Sequence, residues 1–252
     1  DCTLERRARR AENRGDDQPA LRLGLRMVKS LGKEAAARIA AARSAAPFAS
    51  VQDLTLRADL ERRELEALAD AGALRQLAGN RHLTFWQVAG SERELPLAPV
   101  PGAPEGTPLL VPPTEGQNIA ADYRASGLTL GRHPLALLRE SLAADQVLAS
   151  AALRDLPHGR VVRVAGIVTA RQRPQSAGGV MFVTLEDETG YVNLIVWERV
   201  WSRARRIANN SRLLEVRGQL QKEGGVTHVV ARQLVDRTHL LGSVVTHSRD
   251  FR

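Results

Sequence analysis

Cysteine, lysine and aromatic residues are all scarce in this 252-residue chain. The single cysteine, Cys2, excludes an internal disulfide and any cysteine-based zinc cage. That suits a reducing compartment, with the cytoplasm as the default expectation. No run of about 18 apolar residues occurs, so nothing reads as a membrane span, and the opening DCTLERRARR lacks the apolar centre of a secretory signal. The start on Asp1 instead of Met reads as an excised piece. The six histidines are scattered, none in the HxH or HExxH spacing that holds zinc. Neither a glycine-rich phosphate loop nor a Ser/His/Asp arrangement stands out. Acidic residues gather at Glu186-Asp187-Glu188, where an exposed hairpin turn explains them better than a metal does. His133, just before Pro134, reads as a structural helix cap. The expectation is a segment with no catalytic residue, metal or cofactor of its own.

Charge is what the chain has in excess. Of 36 basic residues only Lys29, Lys33 and Lys222 are lysine. An arginine excess fits a GC-rich genome as well as bidentate phosphate contacts, so the distribution says more than the total. Residues 1–90 carry 16 basic and 12 acidic groups, 91–156 carry 5 and 8, and 157–240 carry 13 and 7. Two basic modules flanking an acidic connector favour a polyanion at two places.

The pattern predicts a multidomain α + β chain. Residues 5–19 are almost wholly polar, and 1–19 reads as a flexible charged segment. Residues 20–90 are helical. Seven of the twelve prolines fall between 96 and 113, making 91–116 an extended, semi-rigid linker. Residues 117–156 return to helix, with Pro134 opening one. From 157 to 240 the text changes to strands: 161–168, 180–186, 191–197, 212–219 and 226–234, with a helical patch at 198–208. Five strands with a helix between the third and fourth is the order of an OB barrel. Residues 241–252 are a tail.

Within 20–90, the run VKSLGKEAAARI is helical except at Ser30-Leu31-Gly32, which predicts two short helices and a tight turn. Gly32 is expected to take the left-handed conformation, and Ser30 to accept from a free amide of the next helix. That helix start is a candidate phosphate site, formed by the amides of Gly32, Lys33 and Glu34 beside the charges of Lys29 and Lys33. Ala71-Gly72-Ala73 repeats the device about 41 residues on, with the amides of Gly72 and Ala73 exposed in the same way. One such turn is common in any helical domain; the pair points to a tandem helix-hairpin-helix unit.

Within the barrel, alternation sends Met181, Val183, Leu185, Val192, Leu194 and Val196 to the core. Phe182, Tyr191 and Trp197 are left outside with Arg163, Arg171 and Arg173, a candidate face for stacking bases and holding phosphates of a single strand. The plainer alternative is that these aromatics plug the barrel ends and the arginines are merely solvated. Arg171 and Arg173 are expected in an exposed loop before the second strand.

These residues resemble a known family. GLRMVKSLGKEAAARI, APFASVQDL, LEALADAGALRQLAGNR, DYRASGLTLGRHPLALLR and VAGIVTARQRPQSAGGVMFVTLEDETGYVNLIVW are similar, in order, to the C-terminal third of a bacterial C-family DNA polymerase of the DNA polymerase III alpha-subunit type. DYRASGLTL, the close of the chain soon after the barrel and the lack of a clamp-binding peptide resemble its error-prone accessory branch. The resemblance implies tandem hairpins that grip duplex DNA, a barrel that meets single-stranded template, and polymerising carboxylates that lie upstream. It also implies mutasome partners: a Y-family-like clamp-binding protein and a RecA-like protein. The family prefers glycine at the position of Ser30.

Other readings remain open. The aromatics and arginines could form a docking surface for mutasome proteins. A synthetase-like fragment with an anticodon-type barrel would need a catalytic constellation, and a Holliday-junction type protein would place the barrel first.

Overall fold

The computed structural model describes residues 1–5, 19–91, 106, 108–174, 178–242 and 249–251. The chain divides into two compact units, 1–114 with 124–128, and 115–123 with 129–252.

In the first unit, strand β1 (Thr3–Glu5) pairs antiparallel with β2 (Ala20–Arg22). Residues 3–5, expected to be flexible, are therefore in a strand, while 6–18 lie outside the described residues. A single 3-10 turn, Leu25–Met27, precedes α1 (Lys33–Ala45), α2 (Val51–Arg57), α3 (Arg62–Asp70), α4 (Arg75–Ala78) and α5 (Arg81–Gly90). The element expected as a helix before Ser30 is thus only that turn.

Helix α1 stops where Pro47 forces its predecessor out of helical conformation, and Ala46 is extended at φ −161°. The guanidinium of Arg57 takes up the stranded carbonyls of Ala42, Ala46 and Pro47, and sits 4.7 Å over the Phe48 ring. Ser50 Oγ accepts from the Asp53 amide to start α2, and Glu61 with Glu64 forms a capping box on α3. Ile39, Val51, Leu54, Leu65, Leu68 and Val88 belong to the buried core.

The second unit begins with α6 (Glu115–Ser126), whose last residues belong to the first unit, and α7 (Pro134–Ala144). His133 caps α7 with Nδ1 accepting from the Leu135 amide, and Pro134 opens it, where the missing N–H costs nothing. A 3-10 turn, Ser150–Arg154, leads into β3 (Val161–Gln172), β4 (Met181–Asp187) and β5 (Gly190–Val196). Short helices α8 (Glu198–Trp201) and α9 (Arg205–Asn210) follow, then β6 (Leu213–Glu223), β7 (Val226–Asp236) and β8 (Arg249–Phe251).

The sheet order is β4-β5-β7-β6-β3, and β3 also pairs with β4, which closes a five-stranded barrel; β8 adds in parallel to β3 at Ala170–Gln172. Strand β3 serves two neighbours because it is bulged between Val168 and Ala170. Its first part pairs with β6 and its last part with β4. Gly218 lies at a second irregularity, where a Cβ would stand 2.5 Å from both Val229 Cγ1 and the Val230 carbonyl oxygen, so only glycine fits. The barrel interior is aliphatic, with Leu185, Leu194, Val196, Val216, Leu220 and Val229 buried. Ile119, Leu135, Leu142 and Val147 of the helical connector pack with Ala165, Ile167 and Leu213 of the barrel. Among the described residues no helix is long and apolar enough to cross a membrane.

Candidate nucleic-acid interface

At the first turn the left-handed residue is Ser30, at φ +66°, whereas Gly32 is extended (φ −66°, ψ 152°) as the N-cap of α1. This reverses the expected roles. An N-cap needs extended backbone and free space, and Gly32 provides both: nothing lies within 4 Å of where a Cβ would be. Gly32 offers no side chain to cap α1, Ser30 does not accept the expected bond, and among the described residues the first-turn amides have no side-chain acceptor. Lys33 and Glu34, in that first turn, are exposed. Lys29 is committed elsewhere, its Nζ donating to the Arg124 carbonyl at 2.9 Å and its amide to the Ala125 carbonyl at 2.9 Å.

The second turn is closed. Gly72 has φ +66°, and its amide donates to the Ala69 carbonyl at 2.9 Å while the Ala73 amide donates to Leu68 at 2.9 Å. This is a Schellman closure of α3. The expectation that Gly72 and Ala73 present free amides is corrected: helix α3's own last carbonyls take them first.

On the barrel, alternation leaves Phe182, Tyr191 and Trp197 outside, 38%, 67% and 48% exposed. They do not plug the barrel ends. Phe182 lies directly opposite Ile195, two residues before Trp197, while Tyr191 sits at the far end of the hairpin opposite Glu186, with the Thr184–Asn193 pair between. Glu186 brings a carboxylate to the Tyr191 end, 3.9 Å from His133 Nε2.

The arginines divide. Arg173 is exposed and lies over the Trp201 ring at 4.3 Å. Arg171 is buried in β3, and its guanidinium donates to the backbone carbonyls of Ala208, at 2.8 Å, and Ser211. It therefore holds the α9–β6 junction and is removed from the phosphate-binding set and from the expected loop. Arg163 is likewise engaged within the fold, donating to Glu215 Oε1 at 3.0 and 2.6 Å and to the Asp145 carbonyl at 2.6 Å. Glu215, 2% exposed, also accepts from Arg237 Nε at 2.7 Å. Burial pushes the Glu215 carboxyl up, but the two guanidiniums outweigh it and hold it below the usual carboxylate range.

Asp187 is not the exposed turn acid expected either. It is 5% exposed and accepts from Ser150 N and Oγ (2.6 and 2.8 Å), Thr189 N and Oγ1 (2.8 and 2.7 Å) and Gly190 N (3.0 Å). Arg139 grips Glu188 alongside. Among the described residues no cluster of His, Cys, Asp or Glu could hold a metal ion. Three exposed arginines that the sequence reading passed over, Arg199, Arg203 and Arg232, line a groove between α8 and β7. The sequence signal for Arg199 and Arg203 was ERVWSRARR, a basic run on a short helical patch, whereas Arg232 stands alone in β7.

Residues 1–84 match the model of the helix-hairpin-helix motif, and residues 162–236 that of the OB-fold nucleic acid binding domain. Fold and matches together define a helix-hairpin-helix module followed by an OB barrel of the nucleic-acid-binding kind. Over 95% of its length the chain is 52% identical to a protein of Alkalilimnicola ehrlichii, and over its whole length 50% identical to one of Pseudomonas paraeruginosa. A Burkholderia pseudomallei protein is 53% identical over 94% of the chain. All three carry the name error-prone DNA polymerase, and the chain belongs to that family as the counterpart of its C-terminal part. It spans 22–24% of the length of these relatives.

Proposed function

We propose that this region is the DNA-holding, non-catalytic C-terminal part of an error-prone polymerase used in damage-induced translesion synthesis. In this reading the OB barrel stacks single-stranded template on Phe182, Tyr191 and Trp197, and the α1 start, with Gly32, Lys33 and Glu34, contacts a duplex phosphate. The observation that carries the reading is the exposure of three aromatics on the outer β4–β5 face and its end, in a chain with few aromatics, opposite an aliphatic interior. Exposed aromatics cost solvation unless something covers them, and a nucleobase covers a ring whatever its sequence. At α1 the uncapped amides and helix dipole favour an anion, and Lys33 adds a full charge.

Fluorescence anisotropy with single-stranded, duplex and primer-template oligonucleotides across a salt series tests both parts. Tyr191→Ala should weaken single-strand binding by ~1 to 3 kcal/mol. Lys33→Ala should lower the duplex salt slope by about one unit. If the parent chain binds neither form of DNA with a negative salt slope, the reading fails. The aromatics would then belong to a docking surface for a mutasome protein, of the Y-family-like or RecA-like kind.

A further inference from the structure

The groove between α8, the turn that follows it and the second half of β7 is open and encloses about 540 Å³. Arg199 and Arg203 enter it from the helical side and Arg232 from β7, above an apolar floor that includes Val200, Ala204 and Leu234. Among the described residues no acidic side chain lines it. Arg199 and Arg203 enter no ion pair among the described residues, and Arg232 gives one N–H to the neutral Gln219 Oε1 at 2.9 Å. Three uncompensated guanidiniums around one concavity raise a positive potential there, and an anion relieves it.

Its position matters as much as its charge. Strands β5 and β7 run parallel with Ile195 facing Val230, the last pair of their ladder, two residues short of Trp197 on one segment and of Arg232 on the other. Trp197 is also the N-cap of α8, two residues before Arg199. The outer face is therefore graded, with the Glu186 carboxylate at its Tyr191 end and guanidiniums beyond its Trp197 end.

We infer that this groove takes the sugar–phosphate backbone of a single strand leaving the aromatic face past Trp197. Arg199, Arg203 and Arg232 hold successive phosphates, and the apolar floor receives the sugar edges. Each planar guanidinium can meet two phosphate oxygens at once. The inference rests on the single-strand reading above and adds to it a charged exit at a place the aromatic face does not reach. An acidic peptide would match the charge, but the continuity with stacked rings favours a nucleic acid strand.

The 252-residue chain is titrated with fluorescent oligothymidylates of roughly 4 and 12 nucleotides, which span much of the range of OB-fold site sizes. In R199A/R203A/R232A the slope of log affinity against log salt for the longer oligonucleotide should fall by about 2 units, at about 0.7 per phosphate. The shorter one, confined to the rings, should change by less than about twofold while remaining sensitive to Tyr191→Ala. Arg203→Gln alone should give about a third of the slope change, which keeps the test decisive if the triple variant folds poorly. A slope unchanged in both variants overturns the groove and leaves the aromatic face standing. Absence of single-strand binding by the parent overturns both. Variants that bind the longer oligonucleotide like the parent, but lose a polyglutamate peptide that the parent holds, overturn the inference in favour of a peptide site.

Discussion

Replacing Asp187 by alanine should be among the costliest single changes in the barrel. Its side chain is 2% exposed and receives five hydrogen bonds from Ser150, Thr189 and Gly190. Thr189 is exposed, and water can replace its share. Ser150 is buried, so its amide loses its acceptor inside the fold; its hydroxyl can still turn to Thr189 Oγ1, 2.8 Å away. One stranded buried donor costs about 1–3 kcal/mol and each lost bond to a charged acceptor adds to it, which sets the expected loss near 3 kcal/mol. Asp187→Asn keeps one acceptor oxygen and should cost about 2 kcal/mol. The sign of the pH dependence follows from the carboxyl's environment. Burial pushes it up, but the bonds from Thr189 and Ser150 outweigh burial and hold it below its ordinary 3.8. A group whose folded pKa is depressed contributes fully above the unfolded value and loses that contribution as pH falls through the folded one. Asp187→Asn should therefore flatten the stability curve below about pH 4 relative to the parent. Urea denaturation followed by intrinsic fluorescence, repeated from neutral to acid pH, measures both effects. A loss under about 1 kcal/mol for the alanine variant, together with an unchanged acid limb in the asparagine variant, would refute the argument that this cage holds the hairpin.

Ser30→Gly should raise stability by about 1 kcal/mol, because it relieves a left-handed serine at φ +66°; thermal melts of the two proteins check it. Gly72→Ala should destabilise by more than about 1 kcal/mol, since it combines φ +66° with a Cβ 2.8 Å from Arg81 Nη2, and the same melts would show it. Arg171→Ala should lower barrel stability by about 2–4 kcal/mol in urea while leaving the single-strand salt slope unchanged, because its guanidinium is committed to the Ala208 and Ser211 carbonyls. A reduced slope in a folded Arg171→Ala protein would return that residue to the interface.

Strand alternation, proline placement and helix caps made most of the architecture legible. The barrel's inward residues and the His133–Pro134 helix start follow from local patterns. What escaped was set by distant partners. Strand β3 runs past Val168 through a bulge, and the register shift turns Arg171 inward just where alternation ended in an apparent loop. Arg163 meets Glu215 from 52 positions away, with no local signature. At the hairpins the glycine bias misled: Gly32 was needed as an open N-cap, so the left-handed position fell to Ser30. At Gly72 the small residues read as open, whereas the end of a helix uses nearby amides to satisfy its own carbonyls.

The Asp187 cage also bears on how the chain can be dissected. Ser150 and Arg139 lie before the barrel's first strand, yet one supplies two of the bonds that secure the β4–β5 turn and the other grips Glu188. Leu148 bridges to Val164, and the connector's apolar side chains fill the space against Ala165 and Leu213. A fragment trimmed to the five strands would present the Asp187 carboxylate without its two Ser150 donors and a bare aliphatic surface. The compact unit on this side begins at Glu115, so the helices ahead of the strands are a structural share of the barrel.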